Sequence, residues 1–292
     1  MSGQRPGALW AAPGVAFFAA FAVLPMVLVG YLSLTAWNGL GTPQFVGAAN
    51  FSRLVADPVI RQSLWLSLVL TVLTWLIQTP AALLLGVWGA GRQRNRAVLS
   101  AIFFLPLLLS SAAIAIIFKT MLDPNFGLAA VLGPLIGVAD GNIVGTPRGA
   151  MTCVAFVAAW QFIPFHALLY TAGTRQIPAS LYEAATIDGA GRYRLLRHVT
   201  LPQLRNTVVS SSVLMIVGAL TFFDTVLLLT DGGPGTATDI LPFRMYTTAF
   251  RGYDMGYGSA VAVLLVAVAT AVSLLLVRLS GFGAMRSTRE GL

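Results

Sequence analysis

Six long apolar runs constrain this chain more than any other feature of its sequence. They cover approximately residues 9–34, 63–88, 98–118, 150–173, 207–230 and 258–277. A helix needs about 20 apolar residues to cross a bilayer core of about 30 Å, and each run meets that length. The sequence therefore predicts an all-α membrane protein with six transmembrane helices in a single domain, residues 1–292.

The composition supports the membrane interpretation. Of the 292 residues, 57% are apolar and only 10% are charged, whereas an ordinary soluble domain is about 25% charged. A water-exposed shell needs more charge than this chain provides, so the composition nearly excludes a soluble single domain. The net charge of +8 does not indicate a nucleic-acid partner, because the basic residues form no mixed Lys and Arg cluster.

The distribution of the basic residues predicts the orientation in the membrane. With a cytoplasmic N-terminus, the inside segments hold twelve basic residues and the outside segments hold six. This asymmetry follows the positive-inside rule and predicts that both termini are cytoplasmic. The excess of positive charge is thus interpreted as a topology signal.

Prolines interrupt four of the predicted spans, at Pro25, Pro80, Pro106 and Pro164. Each removes a backbone donor, which hydrocarbon tolerates only where neighbouring helices or a water-filled cavity satisfy the freed carbonyl. Kinked helices of this kind suit a bundle with an interior path, and they are equally consistent with ordinary helix packing.

The sequence lacks the residues that most enzymes and ATP-binding proteins need. Lys119 is the only lysine and follows Phe118, so the chain contains no Gly-Lys-Ser/Thr phosphate-binding loop. His166 and His198 are too far apart for a helix-borne metal pair, and no nucleophile–base set is evident. We expect no catalytic residue, metal or cofactor. Asp224 is the only candidate for a mid-membrane ionisable group, so an ion-coupled secondary transporter is a minor alternative.

A polar, Arg-rich segment, residues 174–206, separates the fourth and fifth predicted spans. Ser180 and Glu183 have the spacing of a capping box, which predicts a short helix that Gly189 or Gly191 ends. A second short helix is predicted from Tyr193 to about Val199, with Pro202 as its limit. The pattern therefore predicts a compact helix-turn-helix knob on the cytoplasmic side.

The residues of this knob carry a family resemblance. Glu183-Ala184-Ala185, then Gly189, Val199 and Leu201-Pro202, resemble the signature loop of bacterial ABC-importer permeases, with Val199 where the family usually has Ile. The resemblance implies a type I importer fold and a coupling helix within residues 178–202 that docks on a dimer of separate ATPase subunits, which bind ATP and Mg²⁺. The coupling positions that it implies are Glu183, Ala184, Ala185, Asp188, Gly189, Val199, Leu201 and Pro202.

A second resemblance concerns the outer loop after the fifth span. Asp224 followed by Gly232-Gly233-Pro234 resembles the outer-loop pattern of the carbohydrate branch of these permeases. This implies a subunit of a sugar importer in the bacterial cytoplasmic membrane, working with a second permease as a heterodimer and with an extracytoplasmic solute-binding protein at the outer loop. A disaccharide or oligosaccharide is the expected substrate, and glycerol-3-phosphate or a related glycerophospho compound is the alternative.

Substrate-path positions also follow from the resemblance to maltose-type relatives. They are Leu107, Ser111, Gln161, Phe162, Phe165, Met215, Ala219 and Phe222. Several are apolar, whereas sugar sites combine aromatic rings with many hydrogen-bonding groups. Each residue could instead serve helix packing, and a partner permease could make the main sugar contacts.

Overall fold

The computed structural model describes residues 8–91 and 94–279. In this part of the chain the secondary structure is almost entirely helical, with one pair of two-residue strands. The described chain forms two compact units. The first consists of Met1–Gln62 and Arg244–Ala267, and the second of Ser63–Phe243 and Val268–Leu292. Four arginines that contribute to the predicted charge asymmetry, Arg5, Arg92, Arg286 and Arg289, lie outside the described residues.

The first unit starts with an apolar helical stretch. A 3₁₀ turn (Ala8–Ala11) leads into α1 (Ala12–Phe18), a π-helical turn (Ala19–Val23) and α2 (Leu24–Leu32). The wide π turn directly precedes Pro25. In a regular helix the proline ring would clash with the carbonyl one turn earlier, so a wider turn accommodates it. Residues Ala12–Leu32 are long and apolar enough to cross a membrane, which agrees with the predicted first span.

The remainder of the first unit packs around a small hairpin. Strand β1 (Thr35–Ala36) pairs antiparallel with β2 (Gln44–Phe45), with Thr35 opposite Phe45, and α3 (Ala49–Ala56) follows. Near the C-terminus a π-helical turn (Thr247–Arg251) precedes α14 (Met255–Leu279).

The second unit contains most of the helices. Their bounds are α4 (Pro58–Gly89, which starts in the first unit), α5 (Arg94–Leu108), α6 (Ser111–Met121), α7 (Ala129–Leu135), α8 (Pro147–Arg175), α9 (Ala179–Ile187), α10 (Arg192–Leu195), α11 (Leu201–Gln203), α12 (Arg205–Leu220) and α13 (Leu241–Tyr246). A 3₁₀ turn (Ile143–Gly145) and two π-helical turns (Leu196–Thr200 and Val226–Thr230) connect them.

Helix α8 forms the centre of the second unit. Its residues Val154 and Val157 are fully buried and pack with Leu70 of α4, Ile114 of α6 and Ile240 in the main hydrophobic core. An apolar helix with little amphipathic character can be buried among other helices or exposed to lipid, because it has no face suited to water. The packing of α4 and α6 against α8 places it in the core.

A glycine allows α4 to approach α8 closely. A Cβ at Gly86 would lie 2.5 Å from the Cβ of Tyr170 and 2.7 Å from the carbonyl oxygen of Ala167. The hydroxyl of Thr171 donates a hydrogen bond of 3.0 Å to the Gly86 carbonyl. Small residues at membrane-helix contacts permit such backbone approach.

Three other predicted spans correspond to single long helices, and two do not. Helices α4, α8 and α14 extend slightly beyond the predicted runs and are each long and apolar enough to span a membrane. The predicted third span, 98–118, is broken: Ala101–Leu108 and Ser111–Met121 meet at an angle of 100°. The break is at Leu109 and Ser110, where the Ser110 hydroxyl accepts a hydrogen bond of 3.2 Å from the Ala113 amide and starts α6 as its N-cap.

The predicted fifth span, 207–230, is also discontinuous. Helix α12 has only 16 residues and ends at Leu220. The chain turns at Thr221–Phe223 and becomes helical again before the π-helical turn Val226–Thr230. The described residues therefore contain four helices long enough to cross a membrane, or five spans if the bent pair counts as one.

Candidate functional site

The second unit contains a cavity of about 550 Å³ between α4, the α5–α6 break, α8 and the end of α12. Its lining combines aromatic rings with polar groups. The lining residues are Thr74, Gln78, Leu107, Ser111, Ala158, Phe162, Phe165, His166, Leu214, Met215, Gly218, Ala219, Thr221, Phe222, Phe223 and Asp224.

Seven of the eight predicted substrate-path positions line this one cavity. They are Leu107, Ser111, Phe162, Phe165, Met215, Ala219 and Phe222. The rings of Phe162 and Phe222 meet edge to face, with their centroids 6.5 Å apart. The structure thus brings together residues that are more than 100 positions apart in the sequence.

Gln161, the eighth predicted position, does not line the cavity and lies behind Ser111. Its side chain is 3% exposed. The Nε2 atom donates to the Ser111 hydroxyl at 3.2 Å and to the Leu109 carbonyl at 3.4 Å. Both partners belong to the break between α5 and α6, so Gln161 holds the broken segment against α8.

Several cavity residues were not among the predicted positions. Thr74 and Gln78 come from α4, one helical turn apart, and Gln78 Nε2 also donates to the Ala158 carbonyl at 3.3 Å. His166 lies 2.9 Å from the Ser211 hydroxyl through Nδ1. The signal available in the sequence was the presence of polar residues inside apolar runs, but the resemblance pointed only to the third, fourth and fifth spans.

Asp224 lies on the cavity lining, in the turn region after α12, and its side chain is exposed. Sequence reasoning grouped it with Gly232, Gly233 and Pro234 on the outer loop. The structure separates the two, because the helical segment that ends at Thr230 lies between them.

The loop around Gly232-Gly233-Pro234 is a tightly bonded turn. Asp231 and Gly232 have φ values of 48° and 82°, and the Gly232 Cα packs against the Phe243 ring. Buried Thr238 closes the turn: its amide donates to the Gly232 carbonyl at 3.0 Å, and its hydroxyl lies 2.9 Å from the Gly233 carbonyl. A side chain at Gly232 would be excluded by both its backbone conformation and the ring.

The predicted cytoplasmic knob is formed by α9, α10, the following π-helical turn and α11. Helix α9 ends at Ile187, and Gly189 follows the C-cap residue Asp188 with φ of 77°. The Gly189 amide donates to the Thr186 carbonyl at 3.0 Å and the Ala190 amide to the Ala185 carbonyl at 2.9 Å. These two bonds define a Schellman turn, so the predicted stop at Gly189 is confirmed. Gly191, the other predicted stop, is instead the N-cap residue of α10.

Two details of the knob were predicted wrongly. Ser180 is not the N-cap of α9: the helix starts at Ala179, and the N-cap residue is Pro178, whose side chain has no hydrogen-bond acceptor. Pro202 does not limit the second helix either. The helical run continues through Leu201–Gln203, and the π-helical turn before it makes room for the proline ring.

The apolar side of the knob faces the ends of the long helices across a crevice of about 370 Å³. Leu195 and Leu196 line it together with Val87 and Ala90 at the end of α4. Within the knob, the Tyr182 hydroxyl lies 3.0 Å from the Thr200 hydroxyl and joins α9 to the following helical run. The knob is therefore held as one body.

The opposite side of the knob is accessible. Ile187 is 86% exposed, and Glu183, Ala184, Asp188 and Gly189 are also exposed. The predicted coupling positions Ala185, Val199 and Leu201 are partly buried, and Pro202 is exposed.

As for metal ions, the described residues contain no group of three or more His, Cys, Asp or Glu side chains that could hold one.

Residues 78–283 match the family described as "Binding-protein-dependent transport system inner membrane component". The chain belongs to this family. It is therefore an ABC transporter permease, a membrane protein with several apolar helices, and not an enzyme.

Curated relatives of this permease agree with the family. It is 34% identical over 280 residues to a probable ABC transporter permease protein of Pyrococcus horikoshii, covering 90% of this chain and 94% of that one. It is 31% identical over 263 residues to the multiple sugar-binding transport system permease protein MsmF of Streptococcus mutans, covering 89% and 90%. The trehalose/maltose transport system permease protein MalF of Thermococcus litoralis is 31% identical over 252 residues, covering 84% and 83%.

Solved structures share the fold of this permease. A chain of a bacterial ABC transporter involved in the import of the acidic polysaccharide alginate superposes with a TM-score of 0.80 at 22% identity, covering 93% of this chain and 94% of that one. At this identity the similarity concerns the fold, which is that of an ABC importer permease.

Proposed function

We propose that this permease is the membrane-spanning subunit of an ATP-driven importer for a neutral disaccharide or oligosaccharide. The observation that carries the proposal is the cavity, where aromatic rings and uncharged polar groups from α4, α6 and α8 converge. Sugars present apolar CH faces to rings and hydroxyl groups to amides, hydroxyls and carboxylates, so this mixture suits them. The volume of about 550 Å³ lies within the range of roughly 300–1,000 Å³ typical of small-molecule sites.

The charge of the cavity favours a neutral substrate over the glycerophosphate alternative. Among the described lining residues there is no Lys or Arg, and the one formally charged side chain is the carboxylate of Asp224. A phosphate would need cationic or backbone donors, and a carboxylate in the same cavity repels it. A sugar hydroxyl, in contrast, can donate to that carboxylate.

The names of the relatives support the same substrate class. They include systems for multiple sugars, diacetylchitobiose, trehalose or maltose, and arabinooligosaccharides. Membership in a binding-protein-dependent family also argues against the ion-coupled alternative.

We further propose that the knob couples the permease to ATPase subunits. Its exposed side presents Glu183, Asp188 and the apolar Ile187 around small Ala184, which is a surface suited to a complementary groove. Because α11 continues through buried Leu204 into α12, a displacement of the knob would be transmitted to that helix. ATP and Mg²⁺ would then bind on the partner, and ATP would shift the conformational equilibrium only through its preference for one state.

The assembly and orientation complete the proposal. A second, homologous permease would complete the translocation path as a heterodimer, and an extracytoplasmic solute-binding protein would dock on the loop that contains Gly232-Gly233-Pro234. The importer would lie in a bacterial cytoplasmic membrane with both termini inside. The six-span topology requires the bent α5–α6 pair as the third span and the α12 region as the fifth.

Uptake by cells tests the substrate class. A strain lacking this gene is complemented with wild type, Asp224→Asn or, as a matched exposed control outside the cavity, Asp140→Asn. Uptake of labelled maltose, trehalose, diacetylchitobiose and glycerol-3-phosphate is measured. Loss of a charged hydrogen-bond acceptor should weaken saccharide uptake about tenfold in Asp224→Asn, with Asp140→Asn unchanged.

The alternative predicts the opposite result for the same variant. If the substrate is glycerol-3-phosphate, removal of the negative charge in Asp224→Asn should improve uptake. Complementation of glycerol-3-phosphate uptake alone would therefore refute the saccharide proposal.

Co-purification tests the coupling. Wild-type permease should bring an ATPase subunit with it, and Glu183→Lys should lose that subunit while remaining in the membrane. Gln203→Lys introduces the same side chain at an exposed position at the end of α11 and should retain the ATPase. Retention by both variants would contradict the proposed role of α9.

A further inference from the structure

The first unit contains a separate crevice of about 630 Å³, formed by the segment after α2, by α3 and by the turn before α14. Its lining is rich in aromatic and amide side chains and differs from the mostly apolar surface of the long helices. The lining residues are Ala36, Trp37, Asn38, Leu40, Thr42, Gln44, Asn50, Arg53, Gly252, Tyr253 and Asp254.

The walls of this crevice are fixed by hydrogen bonds within the unit. Buried Asn50 donates through Nδ2 to the carbonyls of Ser33 and Thr35, at 2.9 and 2.8 Å. The Trp37 indole donates to the Gly41 carbonyl at 3.2 Å, and the Gly256 amide donates to the Trp37 carbonyl at 3.1 Å. A preformed site loses little conformational entropy when a ligand binds.

The charges in the crevice neutralise each other. Arg53 Nη1 lies 2.7 Å from Asp254 Oδ2, in an ion pair. The Arg53 guanidinium carbon also lies 3.9 Å from the centroid of the Tyr257 ring, whose hydroxyl donates to Asp57 at 2.8 Å. The remaining lining side chains are uncharged, so the crevice suits a neutral polar ligand rather than an ion.

Tyr253 is held in a conformation that bulky residues rarely adopt. Its φ is +53°, and its side chain is 69% exposed. Such backbone strain costs of the order of 1–3 kcal/mol and is concentrated at binding and active sites. Because the Tyr253 side chain is mostly exposed, its packing against neighbouring residues does not explain the strained backbone. The conformation keeps a second aromatic side chain at the same crevice as Trp37.

We propose that this crevice is a second saccharide-binding site of the chain, distinct in its residues from the cavity of the second unit. Trp37 and Tyr253 supply rings for the CH faces of a sugar, and Asn38, Gln44 and the Arg53–Asp254 pair supply donors and acceptors for its hydroxyls. In the proposed orientation the crevice is extracytoplasmic. The binding itself does not depend on transport, although its role as a site for incoming sugar rests on the proposed function.

Saccharide binding to the purified full chain in lipid nanodiscs tests this proposal. Saturation-transfer-difference NMR titrations use maltotriose and diacetylchitobiose as probes, with glycerol-3-phosphate as the anionic comparison. The variants are Trp37→Leu and Tyr253→Asn. Asparagine tolerates positive φ, so the second variant removes the ring without adding backbone strain. Phe45→Ala, an exposed aromatic of the adjacent strand that does not line the crevice, is the matched control.

Both crevice variants should bind at least one of the two saccharides roughly 3- to 10-fold more weakly than wild type, as expected for the loss of one aromatic contact. Phe45→Ala should bind the saccharides like wild type. Asp224→Asn, which is altered only in the cavity, should still bind saccharide at the crevice. No binding of either saccharide to wild type, or equal binding by wild type and both crevice variants, would overturn the proposal. Unchanged saccharide binding with weakened capture of the solute-binding protein would identify a protein-docking surface instead.

These outcomes are independent of the proposed function. If Asp224→Asn fails to affect uptake but the crevice variants lose binding, the cavity proposal is wrong and the crevice proposal stands. If uptake behaves as expected and the crevice variants bind normally, only the crevice proposal is wrong.

Discussion

Substitution of Gly189 by alanine should open the end of α9 without disturbing the rest of the molecule. Gly189 has φ of 77°, in the left-handed region, and a Cβ there would have no heavy atom within 4 Å. The effect of Gly189→Ala is therefore conformational rather than steric. It acts on the two hydrogen bonds that end α9, those of the Gly189 and Ala190 amides.

The expected magnitude follows from the backbone conformation. Placing an L-residue other than glycine in the left-handed region costs about 1–2 kcal/mol. Because about 1.4 kcal/mol corresponds to a tenfold change in an equilibrium constant, the turn should open roughly 5- to 30-fold more often. The cost is confined to this turn, since the knob is anchored elsewhere, through Tyr182 and Thr200.

Amide hydrogen exchange of the permease in nanodiscs measures this opening. The amides of residues 188–190 should exchange faster by that factor in Gly189→Ala and by less in Gly189→Asn, because asparagine tolerates the left-handed region. Gly191→Ala is the control. Gly191 also has open space around it, but its φ of −74° suits any residue, and it precedes α10.

Equal acceleration in Gly189→Ala and Gly191→Ala would show that the φ of Gly189 does not control the turn. Unchanged exchange in Gly189→Ala would refute the Schellman turn as the end of α9. If the turn opens and the ATPase still co-purifies, coupling does not depend on this end of the helix.

Three further perturbations test the packing of the fold. Gly86→Ala should destabilise the permease by about 1–3 kcal/mol, because the added methyl group meets the α8 backbone. The control Gly218→Ala should not destabilise it, because a Cβ at Gly218 has no heavy atom within 4 Å. Equal melting temperatures of Gly86→Ala and wild type in detergent would refute the contact. Desolvation raises the pKa of Asp57, but hydrogen bonds from the Tyr257 hydroxyl and from nearby backbone amides, together with Arg53, lower it below its ordinary 3.8. The stability that ionised Asp57 contributes is present above pH 3.8 and is lost as the pH falls through the lowered pKa. Asp57→Asn should therefore cost at most about 1 kcal/mol of stability at neutral pH and should reduce the loss of stability in acid. The same loss of stability in acid for Asp57→Asn and wild type would contradict this prediction. Gln161→Ala should lower the stability of the permease by about 1–3 kcal/mol and reduce saccharide uptake, although Gln161 does not line the cavity. Wild-type stability of this variant would show that Gln161 does not hold the α5–α6 break.

The sequence predicted which residues would lie near one another better than it predicted the helices that carry them. Seven predicted positions share the cavity because the spacing within each matched motif fixes which helix face a residue occupies. The contributions of Thr74 and Gln78 could not be predicted, because they depend on which helix packs beside α8. Gln161 was assigned to the path from the resemblance to maltose-type relatives, whereas its side chain hydrogen-bonds to Ser111 and does not line the cavity.

The breaks in the predicted third and fifth spans had a similar cause. Hydropathy measures whether a segment prefers lipid, and it is nearly the same for a continuous helix and for a bent pair. The bend at Ser110 needs a local cap and a partner for the free Leu109 carbonyl, and Gln161 supplies that partner from another helix. Such a partner is known only when the helices are assembled.

The sequence by itself determined the membrane environment, the helical class and the position of the knob along the chain, because each depends on local composition or on short-range spacing. Only the tertiary structure decided where the long helices break, which polar residues enter the cavity, and that Trp37 and Tyr253, more than 200 positions apart, line one crevice. Those features arise from packing and hydrogen bonds between distant segments, and such contacts have no signature in the local sequence.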